Sequence, residues 1–267
     1  MKLAWATDIH LNFLTRDAVI AWCDDVLAAG DPDAIVLTGD LAEGHDLEDW
    51  LHLLEERLGR PIYFVLGNHD YYRDSIEAVR DRMRRLTDRS RHLTWLGATD
   101  VVSLTPTTAL VGHDGWGDAR LGNHERSSLR MTDFRLIAEL AGLDKPELGA
   151  RLRALGDESA EHLEGALARA LSDHREVLCL THVPPVREAV VWKGRTANDE
   201  WAPYFTCKAV GDVLLEGMRG REDRRLTVLA GHTHSPMCAE PLPNTRVLVG
   251  GAEYRAPEVQ DPLIEIE

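Results

Sequence analysis

Aspartate, asparagine and histidine recur in one kind of place along this chain, at the end of a short apolar run. The stretches LAWATDIH (3–10), AIVLTGD (34–40), PIYFVLGNHD (61–70), EVLCLTH (176–182) and LTVLAGHTH (226–234) all share this design. Each apolar part has the length and the β-branched or aromatic content of a buried strand. Each polar part presents side chains that bind cations or carry protons. Carboxylate, amide and imidazole donors suit hard or borderline divalent cations such as Mn²⁺, Fe²⁺ or Zn²⁺. Asp8, His10, Asp40, Asn68, His182, His232 and His234 make seven donors, too many for one cation. Seven with one shared carboxylate fit two. A pair of cations about 4 Å apart can clamp the attacking and leaving oxygens of a phosphoryl transfer. His69 and Asp70 stand beside these donors as further polar groups.

The elements that must position these groups alternate in type. Residues 16–29 read as a helix capped by Thr15 and stopped at Gly30, with Val19, Ile20, Cys23, Val26 and Leu27 on its apolar face. Residues 46–58 form a second helix, with Leu47, Trp50, Leu51 and Leu54 as its stripe. Ser75 caps a third, arginine-rich helix through about Leu86, whose arginines read as a solvated face. Strand–helix alternation of this kind builds an α/β sheet, which places its ligands beyond the carboxyl ends of the strands. From Leu93 the apolar pieces shorten, which predicts strands of a second, partly antiparallel sheet. Residues 117–144 read as an insertion over the site, helical from Asp133 to Leu140, and 146–172 as a helix with one buried face. A loop opened by Pro184-Pro185 carries Trp192, Trp201, Tyr204 and Phe205, read as lid or core packing, with stacking on a substrate ring as the alternative. Residues 207–218 are a further helix, and the last apolar pieces are terminal strands. No internal repeat or linker divides the chain, so one domain is expected, with an insertion at about 117–172.

Taken in order, Asp8-Ile9-His10, Gly39-Asp40, Gly67-Asn68-His69-Asp70, His182 and Gly231-His232-Thr233-His234 resemble the motifs of the calcineurin-like metallophosphoesterase superfamily over residues 8–234. The resemblance implies an α/β fold, a four-layer sandwich of two mixed sheets flanked by helices, with a dinuclear site at the strand carboxyl ends. It implies that Asp8, His10 and His234 hold one metal, that Asn68, His182 and His232 hold the other, and that Asp40 bridges them. His69 would protonate the leaving oxygen or stabilise the phosphoryl oxygens, with Asp70 orienting its ring. The nucleophile would be hydroxide shared by the two cations, Mn²⁺ or iron, with Zn²⁺ as an alternative. Thr181-His182 departs from the Gly-His of many members, and a small hydroxyl residue there leaves the ligand in place.

Other polar residues near these motifs are candidate substrate contacts: Asn12, His45, His113 and Asp114. The 267 residues carry a formal charge of -15, which disfavours nucleic acid and anionic membrane as partners. Cys23, Cys179, Cys207 and Cys238 form no zinc pattern and read as buried thiols of a reducing compartment. No signal peptide or membrane span is read, so the expected location is cytoplasmic. The expected activity is hydrolysis of a small-molecule phosphomonoester or phosphodiester. A nuclease or protein phosphatase, and a non-catalytic scaffold on the same fold, are the rivals. An intact His69 argues against the scaffold, because a scaffold needs no acid for a leaving group. The sequence sets no oligomeric state.

Overall fold

The computed structural model describes residues 1–192, 194–260 and 262–267; the side chain of Trp192, one of the expected lid aromatics, lies outside that set. The first half runs β1 (Lys2–Ala6), α1 (Arg16–Ala28), β2 (Ala34–Thr38), α2 (Leu47–Leu58), β3 (Ile62–Val65), α3 (Ile76–Thr87) and β4 (Leu93–Trp95). Then come β5 (Val102–Ser103), β6 (Thr108–Gly112), α4 (Asp133–Leu136), α5 (Lys145–Asp173), β7 (Glu176–Leu180), β8 (Val191–Trp192) and β9 (Arg195–Thr196). The chain ends with α6 (Ala202–Phe205), α7 (Lys208–Met218), β10 (Arg225–Ala230), β11 (Met237–Leu242), β12 (Thr245–Val249) and β13 (Ile264–Glu265). Local chemistry starts the helices where the sequence predicts. The Thr15 hydroxyl accepts the Ala18 amide, Ser75 accepts that of Ala78, and Asp144 and Glu147 close a reciprocal box at the start of α5.

Two mixed sheets face each other. The first has the order β13-β1-β2-β3-β4, the second β11-β12-β10-β7-β6-β5. In the first, β1 to β4 run parallel, and β13 is antiparallel at the edge. In the second, β12, β10, β7 and β6 run parallel between antiparallel edges. Leu3, Trp5, Val36 and Val65 of the first sheet meet Leu110, Leu178, Leu180 and Leu229 of the second in one apolar layer. The outer face of the first sheet packs on α1 to α3 through Leu37, Phe64, Val19 and Leu54. That of the second packs on α5 and α7 through Val111, Cys179, Leu167 and Leu214. This is the expected four-layer sandwich. Burying one such side chain stabilises the fold by about 1.5–3 kcal/mol. A one-residue slip would turn every one of them to the wrong face, so packing fixes the register and, with it, where each strand ends.

Four details differ from expectation. The piece beginning at Leu93 joins the first sheet, since β4 pairs parallel with β3 after the α3 crossover. The helix expected from Asp133 to Leu140 is a single turn, because the backbone at Ile137 turns extended and bridges to Asp74. Arg80 of α3 is buried rather than solvated, held by Glu158 at 2.7 Å and close to Asp114 at 3.7 Å. Three cysteines are buried thiols, and Cys238 is exposed on β11.

Candidate metal centre

The seven donors gather where the parallel strands of both sheets end. Asp8 and His10 follow β1, Asp40 follows β2, and Asn68 follows β3. His182 follows β7, and His232 and His234 follow β10. Asp8, His10, Asp40, His232 and His234 all have left-handed backbones, with φ between 43° and 70°. That conformation costs on the order of 1–3 kcal/mol for a non-glycine residue, so the surrounding packing must impose it. It swings consecutive polar side chains into one space. Glycine is required beside them by close approach: a Cβ on Gly67 would collide with the Asp40 carboxylate, and one on Gly231 with Asp8.

Asp8, His10, Asp40 and His234 each bring a ligand atom within 4.8 Å of all the others. His234 Nε2 lies 3.2 Å from Asp8 Oδ1 and 3.3 Å from His10 Nε2. On the other side of Asp40, His182 Nε2 is 3.4 Å from Asp40 Oδ1 and 3.1 Å from Asn68 Oδ1. The His232 ring stands 5.0 Å from that of His182. Asp40 therefore touches both groups, at the centre of the constellation.

Contacts behind these donors fix how they face. The His182 Nδ1–H donates to the Thr38 carbonyl at 2.8 Å, and the His232 Nε2–H to the Tyr204 carbonyl at 3.1 Å. A carbonyl only accepts, so His182 turns Nε2, and His232 turns Nδ1, toward the site. The Asn68 amide donates to Asp133 at 2.9 Å, which leaves its oxygen for the site. The His182 nitrogen thus faces two oxygens, an arrangement that calls for positive charge between them. Burial works against a charged His182, yet Asp40 and Asp8 outweigh it and raise its pKa. Burial likewise works to raise the Asp40 carboxyl, and His69, His182, His10 and His232 outweigh it, leaving it ionised and below its ordinary value. Burial pulls His10 to about 4 and His232 to about 3, so both rings keep the neutral, ligating form near pH 7. Buried carboxylates, imidazoles and an amide oxygen, with no lysine or arginine among them, suit divalent cations.

A cavity of about 310 Å³ opens over the donors, walled by His69, Tyr72, Arg130, Trp201, Phe205 and Tyr254. His69 is partly exposed to it; its ring stacks on Tyr72 at 4.2 Å and meets His10 edge-on at 4.7 Å. Asp70, expected to orient that ring, instead spends its carboxylate on the backbone. It accepts the amides of Leu41, Ala42 and Gly67, each at 2.8 Å, and so ties the loop after β2 to the loop after β3. Tyr72 takes the place next to His69, and Asp133 anchors Tyr72 with a 2.6 Å hydrogen bond from its hydroxyl.

None of the four candidate substrate contacts lines this cavity among the described residues. Asp114 is fully buried behind β3, accepting from Leu66, Trp95 and Tyr71, and His113 is buried beside His162. His45 is exposed next to Glu43, and Asn12 is half-buried in the turn Leu11–Phe13. Asp133, Tyr72, Arg130 and Tyr254 are participants that sequence reasoning missed; none sits in a recognisable spacing. Of the loop aromatics, Trp201 and Phe205 reach the cavity wall, whereas the Tyr204 ring is buried in the core.

The family model for calcineurin-like phosphoesterases matches residues 1–236. The phosphopantetheinyl hydrolase of Mycobacterium tuberculosis superposes with a TM-score of 0.64 at 15% identity, over 98% of this chain and 96% of that one. A dimetal phosphatase from Danio rerio gives 0.56 at 17% identity, over 94% and 87%. The protein TT1561 of Thermus thermophilus gives 0.55 at 15%, over 94% and 88%. No protein of curated function matches the sequence. The solved structures share the fold, and the sequence match extends through every strand end that carries a donor: this chain belongs to the calcineurin-like phosphoesterase family.

Proposed function

We propose that this metal-dependent phosphoesterase hydrolyses a small phosphorylated molecule, a phosphomonoester or phosphodiester, with two divalent cations of which Mn²⁺ and iron are the first choices. The observation that carries the reading is the convergence of Asp8, His10, Asp40 and His234 on one point, with Asn68 and His182 meeting just beyond Asp40. Asp8, His10 and His234 would hold one cation, Asn68, His182 and His232 the second, and Asp40 both. When bound, such a pair supplies positive charge to the phosphoryl oxygens and acidifies the attacking water.

The remaining work falls to the chain itself. Thr38, Tyr204 and Asp133 hold the donor rings and amide in one orientation, so no reorganisation is needed during reaction. His69, fixed by stacking on Tyr72 and open to the cavity, would give its proton to the departing ester oxygen. Arg130 brings a guanidinium to the wall and would meet phosphoryl oxygens, as its planar donors suit them. The cavity lies at the low end of the range for ligand sites, roughly 300–1,000 Å³, and the acidic chain repels polyanions. Both features favour a small substrate over nucleic acid.

The test is turnover with added Mn²⁺ of p-nitrophenyl phosphate, of its bis ester, and of a single-stranded oligonucleotide. Release of nitrophenolate from at least one ester, with the oligonucleotide intact, is expected. Cleavage of the oligonucleotide while both esters survive would overturn the small-molecule reading and favour a nuclease.

A further inference from the structure

A second cavity, also of about 310 Å³, adjoins the metal cavity. Trp201, Phe205 and Thr233 line both, and Thr233 stands between the donors His232 and His234. Of its other lining residues, Val190, Val191 and Ala197 are apolar, and Arg195, Thr196 and Asn198 are polar. Trp201 and Phe205 present their rings 5.2 Å apart at the junction. Val191 of β8 and Arg195 and Thr196 of β9 belong to a two-stranded sheet separate from both large ones. The stretch after β9 is tied down: the Arg187 guanidinium donates to the Ala197 carbonyl at 3.0 and 3.1 Å and to Asp199 at 2.7 Å. One edge of the space is therefore tied-down backbone.

The polar residues of its lining are Arg195, Thr196, Asn198 and Thr233. The Asn198 side-chain oxygen is occupied by the amides of Glu200 and Trp201. Arg195, exposed on β9, has no hydrogen bond or ion pair among the described residues. An apolar slot with one unpaired guanidinium at its rim matches one ligand chemistry, an apolar chain ending in an anion. A guanidinium pairs readily with a carboxylate or phosphate.

We infer that this second cavity receives the alcohol portion of the substrate, an apolar arm with an anionic end that Arg195 meets, while the phosphoryl group lies over the metal donors. The inference rests on the phosphoesterase reading and extends it to the class of ester. Water adds to phosphorus, the P–O bond to the arm breaks, and the arm leaves as its alcohol with the proton delivered to the ester oxygen. The arm then remains in the apolar slot until it dissociates, so the free alcohol is itself a ligand of this site.

Two readouts test it on the full chain. The first is kcat/KM, from phosphate release with Mn²⁺, for the phosphate ester of ω-hydroxyoctanoate against ethyl phosphate, whose ester oxygens have similar reactivity. The second is calorimetric binding of free ω-hydroxyoctanoate, which needs no turnover. The expected result is a preference of about tenfold or more for the long ester. Thr196→Trp, which fills the slot from its exposed rim, and Arg195→Gln should both shrink that preference and weaken binding of the alcohol. Equal kcat/KM for the two esters, with no binding of the alcohol, would overturn the inference and leave the phosphoesterase reading intact. Binding of the alcohol that both variants weaken, without phosphate release from either ester and without nitrophenolate release from p-nitrophenyl phosphate or its bis ester, would support the slot and sink the phosphoesterase reading instead. Binding that neither variant changes would overturn the slot.

Discussion

His69 has three neighbours that define what it can do. Its own amide donates to Asp40 at 2.8 Å, its ring stacks on Tyr72, and one edge of the ring faces the cavity. Its Nε2 also lies 3.8 Å from Asp40 Oδ2, so the ring sits against the metal donors, where the role proposed for it is to hand over a proton. His69→Ala is predicted to retain both cations and to lose about 10² or more in kcat; metal analysis and steady-state rates on the same preparation check this, and full activity would refute the role. That the seven candidate donors meet in one place was legible in the sequence because each ends an apolar run, and a strand end is a fixed place in an α/β sheet. Their orienting partners were not. The carbonyls of Thr38 and Tyr204 belong to the backbone and carry no residue signature. Asp133 reaches Asn68 across 65 residues of sequence, a juxtaposition no spacing encodes. The support of His69 by Asp70 is implied by the family resemblance, yet the turn His69–Tyr71 points the Asp70 carboxylate back at the amides of Leu41, Ala42 and Gly67.

The elements carry the site by where they stop. β3 must end at Val65 so that Leu66 and Gly67 deliver Asn68 to His182, and Asp114 enforces that ending. One of its oxygens accepts the Leu66 amide at 2.8 Å and the Trp95 indole at 3.0 Å; the other accepts the Tyr71 hydroxyl at 2.6 Å. Burial works to raise its pKa, but His113, Arg80 and Tyr71 outweigh it and keep the carboxyl ionised. Asp114→Ala would strand these buried donors and remove one partner from the buried Arg80. A loss of about 3–5 kcal/mol is predicted, measured by urea unfolding of wild type and variant under identical metal conditions. A loss below about 1 kcal/mol would show the carboxylate to be dispensable. The same pair shows the limit of periodicity. Arg80 lies on a helix rich in arginine and reads as surface, but it turns inward because Asp114, Tyr71 and Glu158 are gathered beneath it by other elements. Strands and long helices were legible from apolar spacing and caps; the sheet that β4 joins was not, because a three-residue strand carries too little pattern to choose a neighbour.

For the molecule as a whole, neither sheet owns the site. The first supplies Asp8, His10, Asp40 and Asn68, the second His182, His232 and His234. The apolar layer between the sheets and the Thr38–His182 hydrogen bond hold the halves in register. Cations that bound only the assembled form would stabilise it by mass action. Among the described residues, no helix is long and apolar enough to cross a membrane. The central claim is that two cations sit between the strand ends of the two sheets with Asp40 between them. Anomalous scattering at the Mn edge, from crystals grown with Mn²⁺, tests it most directly. The account predicts two peaks, one among Asp8, His10, Asp40 and His234 and one among Asp40, Asn68, His182 and His232, and loss of both in Asp40→Ala crystals. A map with no peak between these side chains, or two peaks that survive unchanged in Asp40→Ala, would contradict it.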